Sequence, residues 1–150
     1  MPQRYFLDTE FIENEDAFAL ISLGLVCSDG REFYAEIDDS QIPWESAGPW
    51  VLTHVRPNLR EQVKWRKEDL APALRSFVSA GGSSPEFWAY YGDYDWVFFC
   101  RIFGAMIDLP RGWPKLCLDL KQWALEMGIS ALPAHTGIEH CALDDARWDQ

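Results

Sequence analysis

A chain of 150 residues and 17.3 kDa is long enough to bury about two-thirds of its unfolded surface around one core. Hydrophobic residues make up 48%, charged residues 25% and aromatics 15%, which excludes a disordered, collagen-like or coiled-coil chain. Thirteen Lys and Arg against 24 Asp and Glu leave a net charge of −11, which excludes nucleic-acid binding by simple electrostatics, since such binders are basic.

An acidic protein that handles phosphates needs cations between the two, and bound divalent ions invert the local charge. The longest apolar stretch, residues 17–27, is interrupted by Ser22 and Gly24 and is too short to cross a bilayer as a helix. The opening residues carry no secretory-signal pattern. The expectation is one soluble cytoplasmic domain over residues 1–150 with no membrane partner. Cys27, Cys100, Cys117 and Cys141 form no C-x-x-C pair. Buried free thiols in a reducing compartment are therefore expected, and a zinc ribbon is not.

Taken in chain order, residues 4–8 predict a short opening strand. Glu13-Asn14-Glu15-Asp16 predicts a turn, and the Phe-, Ile-, Leu- and Val-rich residues 17–27 a second, buried strand. Ser28-Asp29-Gly30-Arg31 is a hairpin signal leading into an alternating third strand over 32–37. Residues 38–64, broken by Pro43, Gly48, Pro49 and Pro57, predict a long excursion with short helical pieces. Apolar residues at helical spacing predict a helix over 67–80 that ends at Gly81-Gly82. A fourth strand over 86–91, a helix over 93–106 and a fifth strand over 115–118 follow. Asp119 caps a helix running to Met127, residues 130–138 form a loop, and a last helix starts near His140 or Cys141. The sum is an α/β domain with a mixed sheet of about five strands, the first three antiparallel.

Three acidic segments could carry chemistry. In Asp8-Thr9-Glu10, residues two apart on a strand share a face, so two carboxylates stand side by side with Thr9 turned away. Carboxylates this close repel unless a proton or a cation lies between them, and all-oxygen clusters suit Mg²⁺ or Mn²⁺. In Tyr90-Tyr91-Gly92-Asp93-Tyr94-Asp95-Trp96, acids stand where a strand ends and a helix begins; Asp93 is the better cap, and Asp95 lies deeper between aromatics. In His140-Cys141-Ala142-Leu143-Asp144-Asp145, a histidine at a helix start can accept a proton near neutral pH, with carboxylates one turn on. Each segment alone is commoner as a solvated strand end, a cap or a backbone-bonded histidine.

The order Asp-x-Glu, aromatic-Asp, His-x-Ala-x-x-Asp resembles the DEDD exonucleases, in the subgroup whose third motif contains His. The resemblance runs from Asp8 to Asp145. The opening Asp8-Thr9-Glu10-Phe11-Ile12-Glu13, the segment Trp50-Val51-Leu52-Thr53-His54-Val55 and the stretch 88–95 look more narrowly like the small bacterial 3′-5′ exoribonuclease family of mycobacterial ribonuclease AS. That resemblance implies a ribonuclease H-like fold and hydrolysis of single-stranded RNA, in this family adenylate-rich, from its 3′ end to nucleoside 5′-monophosphates, AMP among them. It also implies two Mg²⁺ or Mn²⁺ ions about 4 Å apart. They would be held by Asp8, Glu10, Asp95 and Asp145, with Asp8 shared by both. His140 would take the proton of the attacking water. Phe11 would pack near the terminal nucleotide. A homodimer is also expected. The family pattern selects Asp95 over Asp93 and Asp145 over Asp144.

Other residues stay outside this pattern. His54 is expected as a surface-loop histidine, and the spacing of His135 to Glu139 and His140 fits no site. Arg56, Arg60, Lys64, Arg66 and Lys67 read by default as a solvated helix face, and more sharply as a track for RNA or a dimer contact. With only five residues after Asp145, the last helix is expected to be short, to fray and to hold Asp145 loosely. Three other functions stay open: a DNA- or short-oligonucleotide-directed exonuclease, a catalytically silent nucleic-acid-binding module on the same fold, and an acidic interaction domain.

Overall fold

In a computed structural model that describes residues 1–150, a five-stranded mixed sheet lies between helices. The strands are β1 (Gln3–Glu13), β2 (Phe18–Cys27), β3 (Glu32–Glu36), β4 (Pro85–Ala89) and β5 (Cys117–Asp119). Their order across the sheet is β3-β2-β1-β4-β5. The first three pair antiparallel, while β1-β4 and β4-β5 pair parallel. The helices are α1 (Pro49–His54), α2 (Lys67–Ser79), α3 (Asp93–Phe103), α4 (Leu120–Glu126) and α5 (Ala142–Asp149). No helix is long and apolar enough to cross a membrane.

The period of two decides which helix lies on which face. Tyr5, Leu7, Leu23, Leu25, Cys27 and Phe87 point to one side and pack with Leu70, Leu74 and Val78 of α2 and Phe98 and Phe99 of α3. On the opposite face Val26 packs with Cys141, Leu143 and Ala146 around α5. Because β1 and β2 are covered on both sides, β2 is a nearly unbroken apolar run. All four cysteines are free.

The opening strand is longer than expected, reaching Glu13 rather than Asp8. Its polar second half pairs with β2 through a bulge between Glu10 and Phe11. The hairpin closes at Asn14, whose Oδ1 accepts from the N–H groups of Asp16 and Ala17. Pairing with β4 stops at Phe6 opposite Trp88, so β1 runs on past the end of its neighbour. Asp8 and Glu10 lie on that overhanging stretch. The helix expected over 93–106 stops at Phe103, because Gly104 takes φ 121°. Asp93 is not a cap: α3 begins at that residue, and no side chain caps it. Asp119 does cap α4, accepting from the Gln122 N–H at 2.8 Å.

The last helix is short but firmly seated. Its first turn lies so close to β2 that a Cβ at Gly24 would stand 2.2 Å from the Ala142 carbonyl oxygen. At its far end Gln150 Nε2 donates to Cys27 O at 3.1 Å. These contacts tie both ends of the helix to β2.

Candidate active site

The acids gather at the carboxyl end of β1, beside the point where the sheet changes from antiparallel to parallel, which is where open α/β sheets bind ligands. Asp8 and Glu10 reach it from β1. Asp8 lies directly opposite Gly24, and the missing side chain there lets α5 approach with Asp145. Asp95 arrives from the first turn of α3, on the other side of β1. Thr9, turned away from its acidic neighbours, holds it: its N–H and its hydroxyl both donate to Asp95 Oδ1, at 2.8 and 2.5 Å. The side chain of Asp95 thus takes a β1 backbone N–H beyond the end of β4.

The acids act on one another's proton affinity. Burial pushes Asp8 well above the usual carboxylate range, and the charges of Asp95, Glu10, Asp145 and Asp149 push it further. Asp8 Oδ2 is sealed from solvent and has no hydrogen-bond partner. Glu10 rises to about 8 through burial and the charges of Asp145 and Asp95. Burial takes Asp95 to about 6 against the opposing hydrogen bonds from Thr9. Asp145 is raised by burial, with His135 and the His140 N–H pulling the other way. One side-chain atom each of Glu10, His140 and Asp145 lies within 4.8 Å of the other two.

The competing aspartates lie elsewhere. Asp93 is exposed. Burial works to raise Asp144, but the Ile138 N–H, Arg60 and Arg147 outweigh it and hold the carboxylate below its ordinary value. Asp144 thus ties α5 to the rest of the fold.

Three residues near the acids were not anticipated as part of the site. Asp149, one helical turn past Asp145, is buried and raised to about 8 by burial, with Asp95 and Asp145 adding to the rise. The i, i+4 spacing on a helix was the available signal. His135, set aside in the sequence, has Nε2 2.6 Å from Asp145 Oδ1 and its ring stacked on Trp148. A loop residue of this kind leaves no periodic trace. Thr9 was read only as facing away.

The remaining expected residues are placed as follows. His140 is half-buried, with Trp50 edge-on at 4.7 Å; Trp50 in turn stacks on His54 at 5.0 Å. The excursion therefore reaches the site through α1. Phe11, directly after Glu10, stacks on Phe98 at 4.6 Å and Tyr94 at 5.7 Å. The basic stretch is not a helix face, since only Lys67 lies in α2. Its cations are engaged within the chain: Arg56 over Trp44, Arg60 with Asp144, Lys64 with Glu36, Arg66 with Glu68, and Lys67 Nζ with Gln41 O.

Glu10, Asp145 and the His140 imidazole lie close enough to hold a divalent cation, and the sealed, partnerless oxygen of Asp8 is a further hard donor that acts on the same carboxylates. A consequence for stability follows from the sign of the shifts. Glu10 moves from 4.5 to about 8 and Asp149 from 3.8 to about 8 on folding, so between these limits the native state binds more protons than the unfolded one. Their contribution is intact below about pH 4 and is lost as pH rises toward about 8. In chelator the melting temperature is expected to fall between pH 5 and pH 8. Millimolar Mn²⁺ should restore it at pH 8 and change it little at pH 5. A melting temperature that is flat in pH and blind to Mn²⁺ would contradict this.

An acid-lined centre at the mouth of a mixed α/β sheet, with a cluster of residues that could hold a divalent cation, is suited to the class of hydrolases that act on phosphates. The comparisons narrow the class. The chain belongs to the family of Rv2179c-like 3′-5′ exoribonuclease domains, whose model matches residues 3–150. It is 40% identical over 148 residues to 3′-5′ exoribonuclease Rv2179c of Mycobacterium tuberculosis strain H37Rv, an alignment covering 96% of this chain and 87% of the relative. The counterpart in strain CDC 1551 matches equally. The chain is accordingly a nuclease of the 3′-5′ exoribonuclease kind.

Proposed function

We propose that this protein removes nucleotides one at a time from the 3′ end of single-stranded RNA, releasing nucleoside 5′-monophosphates. Asp8, Glu10, Asp95 and Asp145 would hold two Mg²⁺ or Mn²⁺ ions, and His140 would act as general base. The observation that carries this is the sealed, partnerless Asp8 Oδ2 amid carboxylates that raise one another's proton affinity. Such an arrangement is costly in a purely structural role and suits a cation.

When bound, the ions neutralise the phosphate and act as Lewis acids toward it. The chain's own residues do the rest. Thr9 occupies Asp95 Oδ1 twice, which fixes the carboxylate and would leave Oδ2 for a cation. The His140 N–H holds Asp145 Oδ2 at 3.0 Å, so the histidine and the last carboxylate keep a set relation. The His140 ring, close to Glu10 and Asp145, stands where it can take a proton from water approaching the scissile phosphate. Phe11, continued by the exposed Tyr94, provides an aromatic surface beside Glu10 for the terminal nucleotide. Cations at the acids reconcile a protein of net charge −11 with an anionic substrate. Adenylate-rich ends and a homodimer complete the proposal, on family resemblance.

The test is hydrolysis of 5′-labelled single-stranded RNAs, oligo(A) beside oligo(C), with matching DNA, in Mg²⁺ or Mn²⁺. A ladder shortening from the 3′ end, releasing 5′-monophosphates and abolished by chelator, is expected, fastest on oligo(A). Equal or faster cutting of DNA would replace RNA as the substrate class. Binding without cutting in either metal would sink the catalytic assignment.

A further inference from the structure

The Glu139–His140 peptide is gripped at both ends. Its N–H donates to Asp145 Oδ2 at 3.0 Å, and its carbonyl accepts from Asn58 Nδ2 at 2.9 Å. The same Asn58 amide donates its second hydrogen to His54 O at 2.8 Å, at the end of α1, which fixes the direction of the first bond. Asn58 is half-buried and comes from the irregular excursion, 81 residues away in sequence.

The grip matters because of the conformation it imposes. His140 has φ 64°, a left-handed backbone that only one other non-glycine residue, Tyr91, adopts here. Such a conformation persists only where its surroundings dictate it, and it is concentrated at functional sites. The angle φ measures rotation of the residue against the preceding peptide plane. Holding that plane at N–H and at C=O, while the buried Cys141 and α5 fix the backbone that follows, sets the direction in which the His140 ring leaves the backbone. One of the two holds is Asp145, a proposed metal ligand; the other is Asn58, whose side-chain hydrogen bonds go to the backbone carbonyls of His54 and Glu139.

We propose that Asn58 is a positioning residue for His140, clipping the excursion to the histidine's peptide so that the ring faces Glu10 and Asp145. This rests on the exonuclease assignment above, in which His140 accepts the proton of water. Two variants separate the roles. Asn58→Ala removes the amide, and Asn58→Asp keeps its shape but lacks the N–H donor. Both are expected to lower kcat on single-stranded RNA in Mg²⁺ about tenfold, a fraction of the hundredfold or more expected from a general base, with KM within about twofold. In a His140→Ala background neither should lower kcat further, because the group being positioned is gone.

A readout that does not depend on activity is the NMR spectrum of protein carrying ¹⁵N- and ¹³C-labelled histidine. The His140 ring signals should shift or broaden in both variants while the amide signals of β1 and β2 stay in place. The inference is overturned if Asn58→Asp matches wild type in kcat and in the His140 signals, or if the loss in the double variant is additive. If the unaltered protein cuts no RNA, the proposed function fails by itself, and the histidine spectra still decide whether Asn58 holds His140.

Discussion

Asp8→Asn is expected to abolish 3′ shortening of RNA and, at the same time, to stabilise the protein in chelator. The loss should be about a thousandfold or more, since a metal centre supplies several kcal/mol and each ~1.4 kcal/mol is a factor of ten. The gain in stability follows from the same geometry. Asp8 Oδ2 is sealed and partnerless, and every neighbouring charge that acts on Asp8 raises it. A neutral amide removes the repulsion and can donate to the carboxylates around it. At pH 8 in chelator the melting temperature should rise by a few degrees, at about 2 to 4 °C per kcal/mol for a chain of this size. A residue kept for structure alone would show the opposite, because its removal would destabilise. A variant retaining a tenth of the wild-type rate, or melting lower than wild type at pH 8, would remove Asp8 from the centre of the mechanism.

Gly24→Ala should do comparable damage without touching any acid. The added Cβ would lie 2.2 Å from Ala142 O, 2.5 Å from Ala142 C and 2.7 Å from Leu143 Cα, all backbone atoms of α5. Backbone on both sides leaves no flexible side chain to yield, so the helix must lift from the sheet. Overpacking of this kind costs about 1–3 kcal/mol. Lifting α5 also carries Asp145 away from Asp8, because Gly24 is the cross-strand partner of Asp8 itself. The expected result is a melting temperature lower by several degrees and activity down about a hundredfold, since a displacement of about 1 Å at a reacting centre can cost that much. Ser22→Ala, two residues away and opposite Glu10, removes a hydroxyl that has no partner and should cost far less. Melting curves and initial rates on both variants check the pair. Equal behaviour of the two would show that the close approach at Gly24 does not govern the site.

The order of strands and helices was legible because apolar runs and turn residues alternate cleanly. The antiparallel meander followed from the hairpin chemistry of Ser28-Asp29-Gly30-Arg31. The length of β1 was not legible. Thr9 to Glu13 mixes charges with apolar residues, and only the early end of β4 explains why polar side chains are tolerated there. Among the acids, spacing borrowed from a family resemblance separated Asp95 from Asp93 and Asp145 from Asp144. The fold places the first of each pair near Asp8 and Glu10 and the second elsewhere. Composition alone could not have made that separation in a chain with 24 acids. Asp149 was within reach of helical periodicity. His135, Thr9 and Asn58 were not, because each acts through a contact that joins distant segments, and a single sequence carries no record of such contacts.

The seating of α5 bears on how the molecule assembles. Asp145 and Asp149 lie on α5, so they join Asp8, Glu10 and Asp95 only when the last helix docks. Until then the sheet and its α2–α3 layer can form with Asp8 and Glu10 still in contact with water. Docking α5 thus adds two more carboxylates to the centre, against which Ala142, Leu143 and Ala146 contribute their burial. A divalent ion entering the centre would act on that step above all. It would serve as a clasp for one helix, and the local opening of α5, rather than the unfolding of the whole chain, would be the event most strongly linked to cation concentration.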